Sequence, residues 1–188
     1  MRRRALLTLP WLGVTAARAG PDEATLQALR AGGVVAAFRH TLAPGTGDPP
    51  GFTLGDCSTQ RTLNDEGRAQ ARRIGAWFQS RRLKPAAVRS SPWCRCMDTA
   101  TLAFGKVQAW PALGSPRGSS ESTSALHLDT LRSALLAASR QPGRVEVWVT
   151  HMFVLSALVQ QNTTSGEGLV LRAGRDGTVQ VLGRIAVA

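Results

Sequence analysis

Twice along this chain an apolar run rich in β-branched residues ends abruptly at a histidine. Val34-Val35-Ala36-Ala37-Phe38 runs into Arg39-His40, and Val145-Glu146-Val147-Trp148-Val149-Thr150 runs into His151. Short apolar runs bounded by turn signals, here Gly32-Gly33 and Pro142-Gly143, read as buried strands of a parallel sheet. Ligands of open α/β sheets sit beyond the carboxyl ends of the strands, which is where both histidines fall. A single histidine there is an ordinary capping or core residue. Two of them, the first beside an arginine, point to a shared polar site.

The segments between alternate in the way such a sheet requires. A short helix is expected over Asp22 to Arg30, with Leu26 and Leu29 on one side. After His40, the stretch from Thr41 to Thr59 is rich in glycine and proline and has no hydrophobic period, so it reads as a loop over the strand end. Asn64 can cap a helix running to about Arg82, with Asp65 and Glu66 in the first turn, where the helix dipole favours acids. On that helix Ala71, Ile74, Gly75 and Phe78 share the inner face and Arg72, Arg73, Arg81 and Arg82 the outer, while Gly67 permits a close backbone approach.

A second strand, Ala86 to Ser90, leads into Ser91-Pro92, and Pro92 suits the first turn of a further helix. Arg95 then lies within that turn, where exposed amides favour a bound anion. A third strand near Val107 to Trp110 precedes a small-residue loop, Gly114 to Ser124, which contains Glu121. Leu128, Leu131 and Leu135 mark a helix ending near Arg140, and Phe153 to Val159 a helix after His151. Gly168 to Leu171 and Thr178 to Ile185 read as a hairpin around Gly174 to Gly177. The pattern predicts one α/β domain.

Residues 1–19 begin Met1-Arg2-Arg3-Arg4, continue through an apolar stretch and end Ala17-Arg18-Ala19, which is the form of a cleaved secretory signal. The stretch is too short for a membrane span. Residues 20–188 would form the mature domain, periplasmic or secreted, with no stable span after cleavage. Because residues 1–19 hold four arginines and no acid, cleavage lowers the formal charge from +11 to +7. The remaining basic residues are scattered and lack aromatic interleaving, which argues for a solvated surface plus an anion site and against nucleic-acid binding.

The motif set Phe38-Arg39-His40, Leu63-Asn64-Asp65-Glu66-Gly67-Arg68-Ala69-Gln70-Ala71, Ser90-Ser91-Pro92 with Arg95 and Thr99-Ala100, and Thr150-His151 resembles the histidine phosphatase superfamily, in its phosphoglycerate mutase-like branch. The resemblance spans nearly the whole mature chain in order. It implies a three-layer α/β/α sandwich around a mostly parallel central sheet and a phosphohistidine intermediate. His40 matches the nucleophile, and Arg39, Arg95 and His151 match the phosphate-holding residues. The chemistry needs these types, because a transferring phosphoryl group spreads negative charge over oxygens that fixed cationic donors stabilise. It calls for no metal or cofactor. Its substrate would be a small phosphorylated molecule, such as a sugar phosphate or a lipopolysaccharide-linked phosphate.

Two positions depart from the family pattern. Thr41 stands where glycine usually follows the first histidine, and Met152 stands where one branch has an aspartate after the second. The leaving-group acid therefore stays open among Glu121, in a place comparable to the acid of the mutase-like branch, and Asp48 and Asp56 in the long loop. Cys94 and Cys96 are poorly placed to bond each other within one helical turn, so Cys57 is expected to pair with one or the other. An exported phosphomonoesterase is the leading reading; mutase-like phosphotransfer and a catalytically inactive phosphate-binding module are its rivals. Nothing in the sequence sets the oligomeric state.

Overall fold

The computed structural model describes residues 23–116 and 120–187, so the expected signal segment 1–19 and the middle of the 114–124 loop lie outside the described residues. One six-stranded sheet runs, edge to edge, β3 (Gln108–Ala109), β2 (Ala87–Ser90), β4 (Val145–Thr150), β1 (Val34–Arg39), β5 (Gly168–Ala173) and β6 (Val179–Ile185). β3, β2, β4 and β1 are parallel, β5 is antiparallel to β1, and β6 is antiparallel to β5. A hairpin can extend a sheet with a tight turn, whereas each parallel pairing needs a crossover. Here α2 (Asp65–Ser80), α3 (Cys94–Phe104) and α4 (Glu121–Ser139) lie along those crossovers.

The two central strands, buried on both faces, divide their side chains between two apolar layers. Val34, Ala36 and Phe38 pack with Ile74 and Phe78 of α2, Cys96 and Ala100 of α3, and Leu29 of α1 (Glu23–Ala31). Val35 and Ala37 pack with Leu131 and Leu135 of α4 and Leu155 and Leu158 of α5 (Met152–Val159). The result is a three-layer α/β/α sandwich. Trp148, wholly buried in the second layer, donates its indole N–H to Glu146 at 3.2 Å, so its polar atom is satisfied.

Close backbone approach fixes α2. A Cβ added at Gly67 would fall 2.0 Å from the carbonyl oxygen of Leu42, and one at Gly75 would fall 2.2 Å from that of Ala103. The first contact seats the start of α2 under the loop that follows His40, and the second locks α2 onto α3.

Three local readings change. α4 begins at Glu121, so the preceding loop is shorter than expected: the Ser120 hydroxyl accepts the Thr123 N–H at 3.1 Å and Glu121 occupies the acid-favouring first turn. Pro92 lies just outside the N-cap of α3, which is Trp93. β3 is only two residues long and exposed, a blunt edge. Among the described residues no helix is long and apolar enough to cross a membrane.

Candidate active site

Parallel register places the two histidines together. Arg39 of β1 pairs with Thr150 of β4, so His40 and His151 leave the sheet as neighbours; the His40 N–H donates to Thr150 O at 2.9 Å and the rings lie 5.6 Å apart. Both are nearly buried, at 3% and 4% exposure. They line a cleft of about 560 Å³ that also holds Arg39, Arg61, Arg95 and Asp48.

His40 has a defined tautomer. Its Nδ1 lies 2.8 Å from the carbonyl oxygen of Thr41, an atom that can only accept, so Nδ1 carries the proton and Nε2 keeps a lone pair. Burial, joined by Arg95, Arg39 and Arg61, outweighs the carbonyl's opposing pull and pushes the pKa down to about 3. The ring is therefore neutral in ordinary buffers. Thr41, the departure from the family pattern, ties this turn to α3. The Thr99 hydroxyl donates to Arg95 O at 2.7 Å and accepts both the Thr41 N–H, at 3.1 Å, and the Thr41 hydroxyl, at 2.9 Å.

His151 is the N-cap residue of α5, and its Nε2 lies 2.8 Å from the Ser91 hydroxyl and 3.6 Å from the Cys96 sulfur. Burial, with Arg95 and His40 adding to it, holds its pKa well below the usual histidine value. Arg39 donates from Nη1 to Thr163 O at 2.9 Å.

Arg95, in the first turn of α3, is 3% exposed and pairs with Asp48. Asp48 Oδ1 accepts from Arg95 Nη1 at 2.7 Å and from the Arg61 backbone N–H at 3.0 Å, and Oδ2 accepts from Trp93 Nε1 at 3.1 Å. Burial would raise this carboxyl, but the three donors and the Arg95 charge together hold it below the usual aspartate value. Three guanidinium groups, one carboxylate and two neutral histidines leave the cleft with two net positive charges.

The remaining sequence candidates fall elsewhere. Glu121 is exposed at the start of α4 and is not among the cleft-lining residues, because the Ser120 cap draws it into the helix. Asp56 is exposed and accepts from the Ser58 N–H and hydroxyl, at 3.0 and 2.7 Å. Cys57 forms a disulfide with Cys94, which resolves the open pairing and leaves Cys96 a buried free thiol. Gln60 Oε1 accepts the Cys94 N–H at 3.0 Å, a second tie between the loop and α3. Among the described residues no group of three or more histidine, cysteine or acidic side chains is placed to hold a metal.

Sequence reasoning missed Arg61, which sits in no motif. The only available signal was a charged residue at the end of a loop expected to cover a strand end.

A parallel sheet whose central strands deliver two neutral histidines beside one buried and two half-buried arginines provides the groups that a phosphoryl-transfer enzyme needs. The model of the histidine phosphatase superfamily, branch 1, matches residues 56–117. That match covers 62 of the 188 residues, and over them the chain is similar to the superfamily. Among solved structures it resembles the protein histidine phosphatase SixA complexed with tungstate, at 17% identity and a TM-score of 0.57, with 81% of this chain and 96% of that one covered. It also resembles the product of the Mycobacterium tuberculosis open reading frame Rv3214, at 19% identity and a TM-score of 0.58, covering 79% and 94%. A third similar structure is the alpha-ribazole phosphatase of Shigella flexneri, at 13% identity and a TM-score of 0.57, covering 82% and 96%. No curated protein matches the sequence.

Proposed function

We propose that the protein is an exported phosphatase that hydrolyses small phosphomonoesters through a phosphohistidine on His40. The observation that carries this reading is the Nδ1–H bond from His40 to Thr41 O, which leaves Nε2 unprotonated in a cleft surrounded by guanidinium groups. A neutral imidazole nitrogen is a competent nucleophile toward phosphorus, and the fixed cations stabilise charge on the transferring oxygens.

In the first half-reaction Nε2 attacks phosphorus. The P–N bond forms as the bond to the leaving oxygen breaks, with Arg39, Arg95 and His151 holding the phosphoryl oxygens. Asp48 supplies the proton to the leaving oxygen. Its carboxylate is ionised while it pairs with Arg95; when a phosphoryl dianion claims that arginine, added negative charge and a lost partner raise its pKa and it takes up a proton. In the second half-reaction water gives a proton to Asp48 and attacks phosphorus. The P–N bond breaks, returning neutral His40 and inorganic phosphate.

Export is supported by the form of residues 1–19 and by the Cys57–Cys94 disulfide, a bond that persists in oxidising compartments. Two of the similar structures are a protein histidine phosphatase and an alpha-ribazole phosphatase. For this chain the reading is limited to small monoesters, including sugar phosphates or lipopolysaccharide-linked phosphate. The mature protein should turn over p-nitrophenyl phosphate, and rapid quench should trap acid-labile, alkali-stable label. Label persisting in His40→Ala, or none trapped from an active wild type, overturns the assignment.

A further inference from the structure

Resting on the phosphotransfer reading above, we propose that Arg61 is a third phosphoryl-binding residue, which fits the cleft to doubly charged phosphomonoesters in preference to singly charged diesters. Arg61 lines the same cleft as His40, although it reaches it from the far end of the long loop and not from a strand end.

Unsatisfied donors supply the first argument. Among the described residues, the buried side-chain nitrogens without a hydrogen-bond partner are the Nε atoms of five arginines: Arg39, Arg61, Arg73, Arg81 and Arg95. Arg73 is ion-paired with Glu66, and Arg81 lies over the ring of Trp77, so both have an evident setting on α2. The other three surround one cleft. A buried N–H without an acceptor costs free energy, and these three guanidinium groups line the space in which an oxyanion would sit.

Loop construction supplies the second. Nη1 of Arg61 donates to Ala43 O and to Gly45 O, the latter at 2.8 Å, while its backbone N–H holds Asp48. The carbonyls engage one terminal nitrogen, and the guanidinium is fixed before any ligand arrives. Preorganised charge of this kind stabilises an anion without reorganisation.

Charge count supplies the third. Before substrate binds, with Asp48 ionised, the three arginines leave the resting cleft at two net positive charges, which draw a phosphomonoester dianion more strongly than a monoanion. Without Arg61 a single net charge would remain, and that preference would be weaker.

Titration calorimetry tests this with two probes at about pH 8, inorganic phosphate as the dianion and dimethyl phosphate as the monoanion. Wild type should prefer phosphate. Arg61→Gln, which keeps amide donors for the loop carbonyls but not the charge, should lose about 10- to 100-fold in phosphate affinity, the range for a hydrogen bond to a charged group. It should lose far less for dimethyl phosphate. Arg61→Lys should retain most of the preference. An Arg61→Gln protein that discriminates between the anions as wild type does overturns the proposal and leaves the His40 reading intact, as does an equal loss for both. A wild type that binds no phosphate overturns both readings.

Discussion

Asp48 Oδ1 lies 2.7 Å from Arg95 Nη1, and the two side chains are 7% and 4% exposed. The carboxylate thus rests on one of the guanidinium groups that a phosphoryl oxygen would use. On the proposed mechanism substrate and Asp48 would compete for the same donor, and that competition would couple binding to the protonation of the leaving group.

Asp48→Asn should therefore have two opposed effects. Phosphate should bind more tightly, because the cleft gains a positive charge and loses its internal competitor. Turnover of alkyl phosphates should fall about 10²- to 10⁴-fold, the usual value of general acid–base assistance. Turnover of p-nitrophenyl phosphate, whose leaving group needs little protonation, should fall much less. A steady-state comparison of the two substrates, with phosphate as product inhibitor, checks both.

Arg95→Ala should lower kcat by about 10²- to 10³-fold, the scale of removing one preorganised donor to a developing oxyanion. It also strands the Asp48 carboxylate in a buried place, so thermal stability should fall as well. Arg95→Lys should recover part of the stability and little of the rate, since lysine lacks the planar fork that matches phosphate. Melting temperature and kcat, measured on both variants, separate the two losses.

The histidines set a pH signature. With a folded pKa of about 3 for His40 against 6.5 for the ordinary group, the folded state binds fewer protons than the unfolded state between those values. Stability from this group is fully present above about pH 6.5 and declines as pH falls toward about 3. His151 shifts in the same direction. Urea midpoints followed over pH should slope in this window, and the slope should be shallower in His40→Asn. Activity should show no inflection from His40 there; any change in kcat/KM near pH 6 should follow the second ionisation of the substrate phosphate.

The long loop after His40 is pinned by the Cys57–Cys94 bond across a separation of 37 residues. On the chain-entropy account, closing such a loop stabilises the fold by about 4 kcal/mol. Reduction, or Cys57→Ser, should lower the denaturation midpoint accordingly and weaken activity, because Asp48 and Arg61 lie on the segment it restrains. Peptide mapping of protein from the oxidising compartment should find Cys57 joined to Cys94; three free thiols would contradict this.

What could be read from the sequence follows the physics of each element. β1 and β4 were legible because a strand buried on both faces is a continuous apolar run, and their ends carried His40 and His151 with them. Arg95 was legible through the helix start after Ser91-Pro92. The long loop was not, since its course depends on tertiary ties with no local pattern: Asp48 to Trp93, Gln60 to the Cys94 amide, Arg61 to Ala43 and Gly45. For the same reason the acid could not be chosen in advance. The sequence offers Glu121 as an acid, but the Ser120 cap places it in α4, while Asp48, one of several loop acids, lies inside the cleft.

Cys96 sits two residues from Cys94, fully buried behind His151, and burial pushes its thiol pKa up to about 12. Once the domain has closed, that sulfur is shielded from oxidants and too weakly ionised to attack the neighbouring disulfide. Before closure nothing distinguishes it from Cys94 as a partner for Cys57. Correct pairing is thus decided during maturation, and a chain that joins Cys57 to Cys96 before the core forms would need an isomerase or a thiol shuffling buffer to regain the native bond. Yield of active enzyme should depend on the order in which oxidation and collapse occur.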